Sequence, residues 1–287
     1  MNNLNIYFVG LSKNCLLTLK KNIDFINLLI KEGVGVEKII IVDSDSNDGT
    51  KEYCKSLKND NILFIEEDNV KNNFHNRIEI LSHCRNIGLQ NIEKTNDVLY
   101  IPIDLDIDLF SLIKPKSFID LVKNFQNNKD IDALFPYSEP YYYDIFALRK
   151  QGWVDNNAVL QAHKLKQKFK IGSFFFNYFF VFKKQINKNK FSEDLIRVES
   201  AFGGIGLYKI NKNKNYLYET KDIDTEFYSE HLSFNNNFKN LFIDKNWAVP
   251  APEEHINFHL LRKLAKVVYI VKTFKYDILD FFNKGKI

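Results

Sequence analysis

Ile39-Ile40-Ile41-Val42-Asp43-Ser44-Asp45-Ser46-Asn47-Asp48-Gly49-Thr50 is the stretch that decides the fold. Four β-branched residues in a row fit a strand buried on both faces, the habit of parallel sheets. Short polar residues follow at once from Asp43 to Gly49, and a helix is predicted from Thr50 to Leu57. Ser, Asn and Asp accept hydrogen bonds from the free N–H groups of a helix start. The same geometry lets Asp43 and Asp45 face the ribose or base of a nucleotide, so capping and ligand contact both stand as readings.

On the N-terminal side, Asn5–Val9 reads as a strand ending at Gly10, and Leu16, Leu19, Ile23, Ile26 and Ile30 recur at helical steps within a helix over Cys15–Ile30. The strand at Lys38–Val42 comes next, then a strand at Ile62–Ile65, a helix over Asn76–Glu93 and a strand over Asp97–Ile103. Such alternation implies βαβ units: an α/β fold with a mostly parallel central sheet and helices on both faces. Ligands of these sheets bind beyond the carboxyl ends of the strands, where Asp43–Asp48 and Asp104–Asp108 fall. Gly10-Leu11-Ser12-Lys13 follows the first strand and makes a poor phosphate loop, with Gly10 as a candidate nucleotide contact.

Asp104-Leu105-Asp106, with Asp108 two residues on, closes the run Val98–Ile103. Alternation continued through Asp108 puts three acids on one face, a repulsive set that a cation relieves. Mg²⁺ or Mn²⁺ takes one or two carboxylates together with substrate phosphates. The competing reading is an acidic cap for a helix near Phe110–Leu112. Arg85, in Arg85-Asn86-Ile87-Gly88-Leu89, offers a fork suited to a diphosphate, or is a surface residue. Glu230 is a candidate base for an acceptor hydroxyl or a helix-end acid, and His231 a third metal ligand, a diphosphate contact or a solvated imidazole.

Composition excludes other classes. Hydrophobic residues are 45%, enough for a core and against a disordered chain. The net charge of +4 does not suggest a nucleic-acid binder. Three widely spaced cysteines, Cys15, Cys54 and Cys84, give no disulfide framework and fit a reducing compartment. No secretory leader and no apolar run of about 18 residues is evident. A cytoplasmic protein, peripheral at the inner membrane face, is expected.

Together these segments resemble GT-A-fold, family-2-like glycosyltransferases. Val42–Thr50 resembles their V-D-D-G-S-x-D-G-T signature, Arg85–Leu89 their A-R-N-x-G helix, and Asp104–Asp106 stands where they place the D-x-D metal motif. Ser44 and Asp45 depart from the pattern, as do His83-Cys84 before Arg85. In the second half, Tyr142–Arg149, Phe202–Tyr208 and Ser229–Phe234 resemble segments of capsule-associated mannosyltransferases and related bacterial polysaccharide enzymes. The resemblance implies a metal-dependent transfer of a sugar from a UDP- or GDP-linked donor to a saccharide or lipid-linked acceptor. It also implies that Tyr143, Asp144, Gly203 and Gly204 line the sugar pocket. A tight bend packed under Phe202 and Tyr208 is the other account of the two glycines. A sugar nucleotidyltransferase and a non-catalytic nucleotide-sugar-binding protein are the alternative functions.

Residues 1–258 are expected to form one domain, with a nucleotide half over 1–110 and an acceptor half over 111–258. A basic amphipathic tail follows over 259–287. Its Leu and Val residues recur at helical spacing among Lys and Arg, which suits an anionic membrane surface or a docked helix equally.

Overall fold

The computed structural model describes residues 4–57, 60–93, 96–168, 177–186, 191–220 and 228–252. The predicted tail at 259–287, and residues 221–227 before Glu230, lie outside them. The described residues up to Pro250 belong to one compact unit.

The first half follows the predicted alternation: β1 (Asn5–Ser12), α1 (Leu16–Lys31), β2 (Val36–Ser44), α2 (Thr50–Ser56), β3 (Ile62–Glu67), a single turn α3 (Val70–Asn73), α4 (Arg77–Gln90) and β4 (Val98–Asp104). Then come α5 (Pro115–Asn127), β5 (Ala133–Glu139), α6 (Ala158–Lys168), a π-helical turn (Asn177–Phe182), α7 (Lys183–Ile186), β6 (Leu195–Val198), β7 (Leu207–Ile210), α8 (Glu230–Asn235) and β8 (Leu241–Pro250). All eight strands join one sheet in the order β3-β2-β1-β4-β7-β5-β8-β6. The pairs β2–β3, β1–β2, β1–β4 and β5–β8 are parallel, while β7 runs against β4 and β5, and β6 against β8. The α/β class with a mostly parallel sheet is thus as expected.

The sheet's centre is dry because its strands carry apolar residues on both faces. Ile39, Ile40 and Ile41 in β2 and Val98–Ile101 in β4 are fully buried. Two boundaries differ from expectation. β1 runs past Gly10 to Ser12, because Ser12 stays in register with Asp43 of β2. The space a Cβ on Gly10 would need is filled by Leu105, whose Cδ1 would lie 2.5 Å away, so packing accounts for this glycine. No helix begins near Phe110, since α5 starts at Pro115, and Asp108 turns away to pair with Lys21 of α1 at 2.7 Å. Neither the acidic cap nor the three-acid face therefore forms.

Asn76 caps α4, its side chain accepting from the N–H groups of Ile78 and Glu79 at 3.0 and 3.1 Å. The helix lies close on the sheet at Gly88, where a Cβ would stand 2.4 Å from Val9 Cγ1. Gly88→Ala should therefore force α4 off β1 and lower stability by about 1–3 kcal/mol. Val9→Ala in the same chain should recover part of the loss, read as urea midpoints. An unchanged midpoint for Gly88→Ala contradicts this packing.

Candidate active site

The carboxyl end of β4, the buried face of α4 and the start of α8 meet at one guanidinium. Arg85, on α4, is 3% exposed. Its Nε donates to Glu230 Oε1 at 2.9 Å and its Nη2 to Asp104 Oδ1 at 2.8 Å. The Phe202 ring, with its centroid 4.9 Å from the guanidinium carbon, and the Tyr218 ring at 5.7 Å wall the cation. Burial pulls its pKa down, yet Asp104 and Glu230 outweigh that and hold it well above the ordinary value. Arg85 is thus neither a surface residue nor a free fork.

The next residue fixes the same helix to the second half. Asn86 Nδ2 donates to the Tyr218 carbonyl at 2.9 Å and its Oδ1 accepts from the Tyr218 N–H at 2.8 Å. The Tyr218 and Tyr100 hydroxyls lie 3.0 Å apart. The sequence reading missed Asn86, Tyr100, Phe202 and Tyr218. Asn86 stands beside Arg85 and Phe202 beside Gly203, and that adjacency was the available signal.

Asp104 is the last residue of β4, and its N–H donates to the Gly204 carbonyl at 2.8 Å. Gly203 and Gly204 both have positive φ, 74° and 82°, which favours glycine. The turn is held by Asp144, whose Oδ2 accepts from the Gly203 N–H at 2.9 Å and whose Oδ1 accepts from Ala147 at 3.1 Å. A Cβ on Gly204 would meet the Tyr143 hydroxyl at 2.8 Å. Tyr143, Asp144, Gly203 and Gly204 are therefore brought together beside Asp104. Burial pushes Asp144 above the usual carboxylate range, with Asp104 and Glu230 adding repulsion, and burial likewise raises Tyr143.

His231 is 2% exposed and stacks on Phe202 with ring centroids 3.6 Å apart. Among the described residues neither ring nitrogen has a hydrogen-bond partner, and Nε2 lies 3.5 Å from Glu230 Oε1. Burial, with the Arg85 charge, holds its pKa well below the ordinary value. It is not the solvated imidazole weighed above.

Asp43, fully buried, is the hub of the loop beside the site. Its Oδ2 accepts from the hydroxyls of Ser12 at 2.8 Å and Ser46 at 2.5 Å, and its Oδ1 from the Ser46 N–H at 3.1 Å. Asp45 has φ 59° and accepts from the Asn69 N–H at 2.6 Å. The polar stretch after β2 thus ties the loops after β1 and β3 to itself.

The donor set suits a hard cation in part. Asp104 Oδ2 makes no hydrogen bond to a described residue, Asp106 is exposed, and the His231 imidazole, without a hydrogen bond to a described residue, lies against Glu230. Asp104 and Glu230 share one positive charge, which leaves a local excess of negative charge. Among the described residues, however, no group of three His, Cys, Asp or Glu side chains is closed up enough to hold a metal. A cation held here would have to take its remaining ligands from a substrate's phosphates, as Mg²⁺ commonly does.

No family model matches the chain, and no curated protein matches it. Solved structures do. Mannosyl-3-phosphoglycerate synthase from Rubrobacter xylanophilus is 15% identical over 73% of this chain and 54% of that one, with a TM-score of 0.39. Glucosyl-3-phosphoglycerate synthase from Mycobacterium tuberculosis, in complex with Mn²⁺, UDP and phosphoglyceric acid, is 14% identical over 74% and 57%, with a TM-score of 0.38. The chain spans about half the length of these structures. The sheet order carries the fold, and the contacts above carry the site.

His231 gives a test of this packing. The unfolded imidazole, with a pKa of about 6.5, takes up protons below that pH which the buried ring refuses. Stability conferred by the neutral ring is therefore present above pH ~6.5 and lost as the pH falls, by up to about 1.4 kcal/mol per unit. Urea titrations between pH 7.5 and 5 should show a shallower loss for His231→Phe than for wild type. Equal slopes contradict the burial of a neutral imidazole.

Proposed function

We propose that the chain is a metal-dependent glycosyltransferase. It would move a sugar from a UDP- or GDP-linked donor to a saccharide or lipid-linked acceptor in surface polysaccharide synthesis. The observation that supports this most is the Arg85 bridge between Asp104 and Glu230 at the end of the sheet, with the Tyr143–Asp144–Gly203–Gly204 turn beside it. The bridge joins a side chain suited to a metal and diphosphate to one suited to a hydroxyl.

In this reading Asp104 and Asp106 hold Mn²⁺ or Mg²⁺, with His231 as the third candidate ligand. The cation, when bound, supplies Lewis-acid stabilisation of the diphosphate leaving group. Arg85 orients Asp104 by occupying Oδ1 and leaving Oδ2 free. Glu230 Oε1 is likewise held by Arg85, while Oε2 has no hydrogen bond to a described residue. In an inverting transfer Oε2 accepts the proton of the acceptor hydroxyl as that oxygen bonds to the anomeric carbon. The bond to the diphosphate breaks with its electron pair leaving on the phosphate oxygen. Tyr143 and Asp144 line the sugar side, and Gly203 and Gly204 let the backbone approach. Asp43 and Asp45 shape the nucleotide end, with Asp43 acting through the loop it holds.

No helix among the described residues is long and apolar enough to cross a membrane. We assign the protein to the cytoplasm, with contact to an anionic membrane left to the 259–287 tail.

Thermal-shift titration of UDP- and GDP-sugars with and without Mn²⁺ tests the reading. Binding at 100-fold Kd stabilises by about 2.7 kcal/mol. The matching nucleotide sugar and Mn²⁺ together should raise Tm by more than the sum of each alone, and Asp106→Asn should remove that excess. Glu230→Gln should keep donor binding and lose turnover in an inverting reaction. A donor response indifferent to Mn²⁺ and to Asp106→Asn contradicts the assignment.

A further inference from the structure

Arg149 is a cation that the arrangement around Arg85 does not use. Its Nη1 donates to the carbonyls of Phe146 and Leu148 at 3.2 and 2.6 Å. Its Nη2 is buried and has no hydrogen-bond partner among the described residues. The charged and titratable groups that act on it are Asp144, Tyr228 and Glu199. None is in ion-pair or hydrogen-bond contact with it among the described residues. Asp144 has an N–H group on each oxygen, from Ala147 and Gly203, and Glu199 is exposed. A guanidinium is seldom placed out of water without an anion. Burial pushes the pKa of Arg149 below its ordinary value, against the opposite pull of Asp144, Tyr228 and Glu199.

Its place in the fold says which ligand would bring that anion. The Arg149 N–H donates to the Ser200 carbonyl at 2.8 Å, and the Glu199 N–H donates to the Arg149 carbonyl at 2.8 Å. Arg149 is thus paired three residues before Gly203, a chain distance of at most about 10 Å. Asp144, five residues before Arg149, holds Gly203 itself. The guanidinium therefore lies on the strip that carries the Tyr143–Asp144–Gly203–Gly204 turn, whereas the acids suited to a donor's metal and diphosphate are at the end of β4.

We propose that Arg149 binds an anionic group, a phosphate or carboxylate, carried by the acceptor. The two donors of Nη2 and the planar fork match such an oxyanion, and a lysine could not reproduce the fork. The acceptor is then a charged molecule such as a phosphorylated or acidic sugar, not a neutral one. The term acceptor rests on the glycosyltransferase reading; the anion site itself does not.

The test uses inorganic phosphate on the full chain, titrated at constant ionic strength and followed by thermal shift. Wild type should be stabilised, and Arg149→Gln should need about tenfold more phosphate for the same shift. Arg149→Lys, which keeps the charge and loses the fork, should fall between them, and it carries the test if the glutamine variant does not fold. The wild-type response should survive saturating UDP with Mn²⁺. An undiminished response in the folded variants overturns the proposal. So does a response abolished by UDP and Mn²⁺, because phosphate would then have been occupying the donor's diphosphate place. Failure of UDP and Mn²⁺ to bind, with an Arg149-dependent phosphate response intact, would sink the glycosyltransferase reading and leave the anion site standing.

Discussion

One guanidinium shared by two carboxylates organises the rest of the molecule. Arg85 reaches Asp104, 19 residues away, and Glu230, 145 residues away, from a position that is 3% exposed. Breaking a buried pair by removing one partner commonly costs about 3–5 kcal/mol, because the other charge is left unpaired. Here that cost would fall on the contact between the helix of the first half and the start of α8. Asn86 repeats the same joining through the backbone of Tyr218. Neighbouring residues on α4 therefore fix both the charge at the site and the chain that walls it. Gly88, one turn on, sets how closely that helix lies on β1.

The first half was legible because local rules and tertiary demands agree there. The Ile39–Val42 run can only satisfy burial on both faces, and Asn76 announces the start of α4. The second half was not legible because its strands obey their neighbours more than their own sequence. β6 and β7 are four residues each, and β7 enters between β4 and β5 against the direction of both. β5 contains Pro136, and β8 changes register opposite Pro136 and Tyr137. Neither an alternating pattern nor a continuous apolar run survives such interruptions.

The site divides along the same line. Asp104, Arg85 and Glu230 could be named from residue type and spacing, but their mutual contact could not, since it closes over sequence separations that no pattern spans. The same holds for Asp144 and Gly203, which meet across 59 residues. Two glycines, one expected at the nucleotide and one at the sugar, separate cleanly in the structure. Gly10 is explained by Leu105 packing into its place, whereas Gly204 lies against a tyrosine hydroxyl at the mouth of β4. Asp43 likewise turns out to hold a loop together through Ser12 and Ser46.

A double-mutant cycle on Arg85 and Glu230 measures how strongly the shared guanidinium couples α4 to α8. Urea unfolding of wild type, Arg85→Met, Glu230→Gln and the double variant yields their coupling energy. The shared guanidinium predicts that the double variant is less destabilised than the sum of the singles by about 1.5–3 kcal/mol. Losses that add to within about 0.5 kcal/mol would contradict the claim that this bridge joins the two halves of the site.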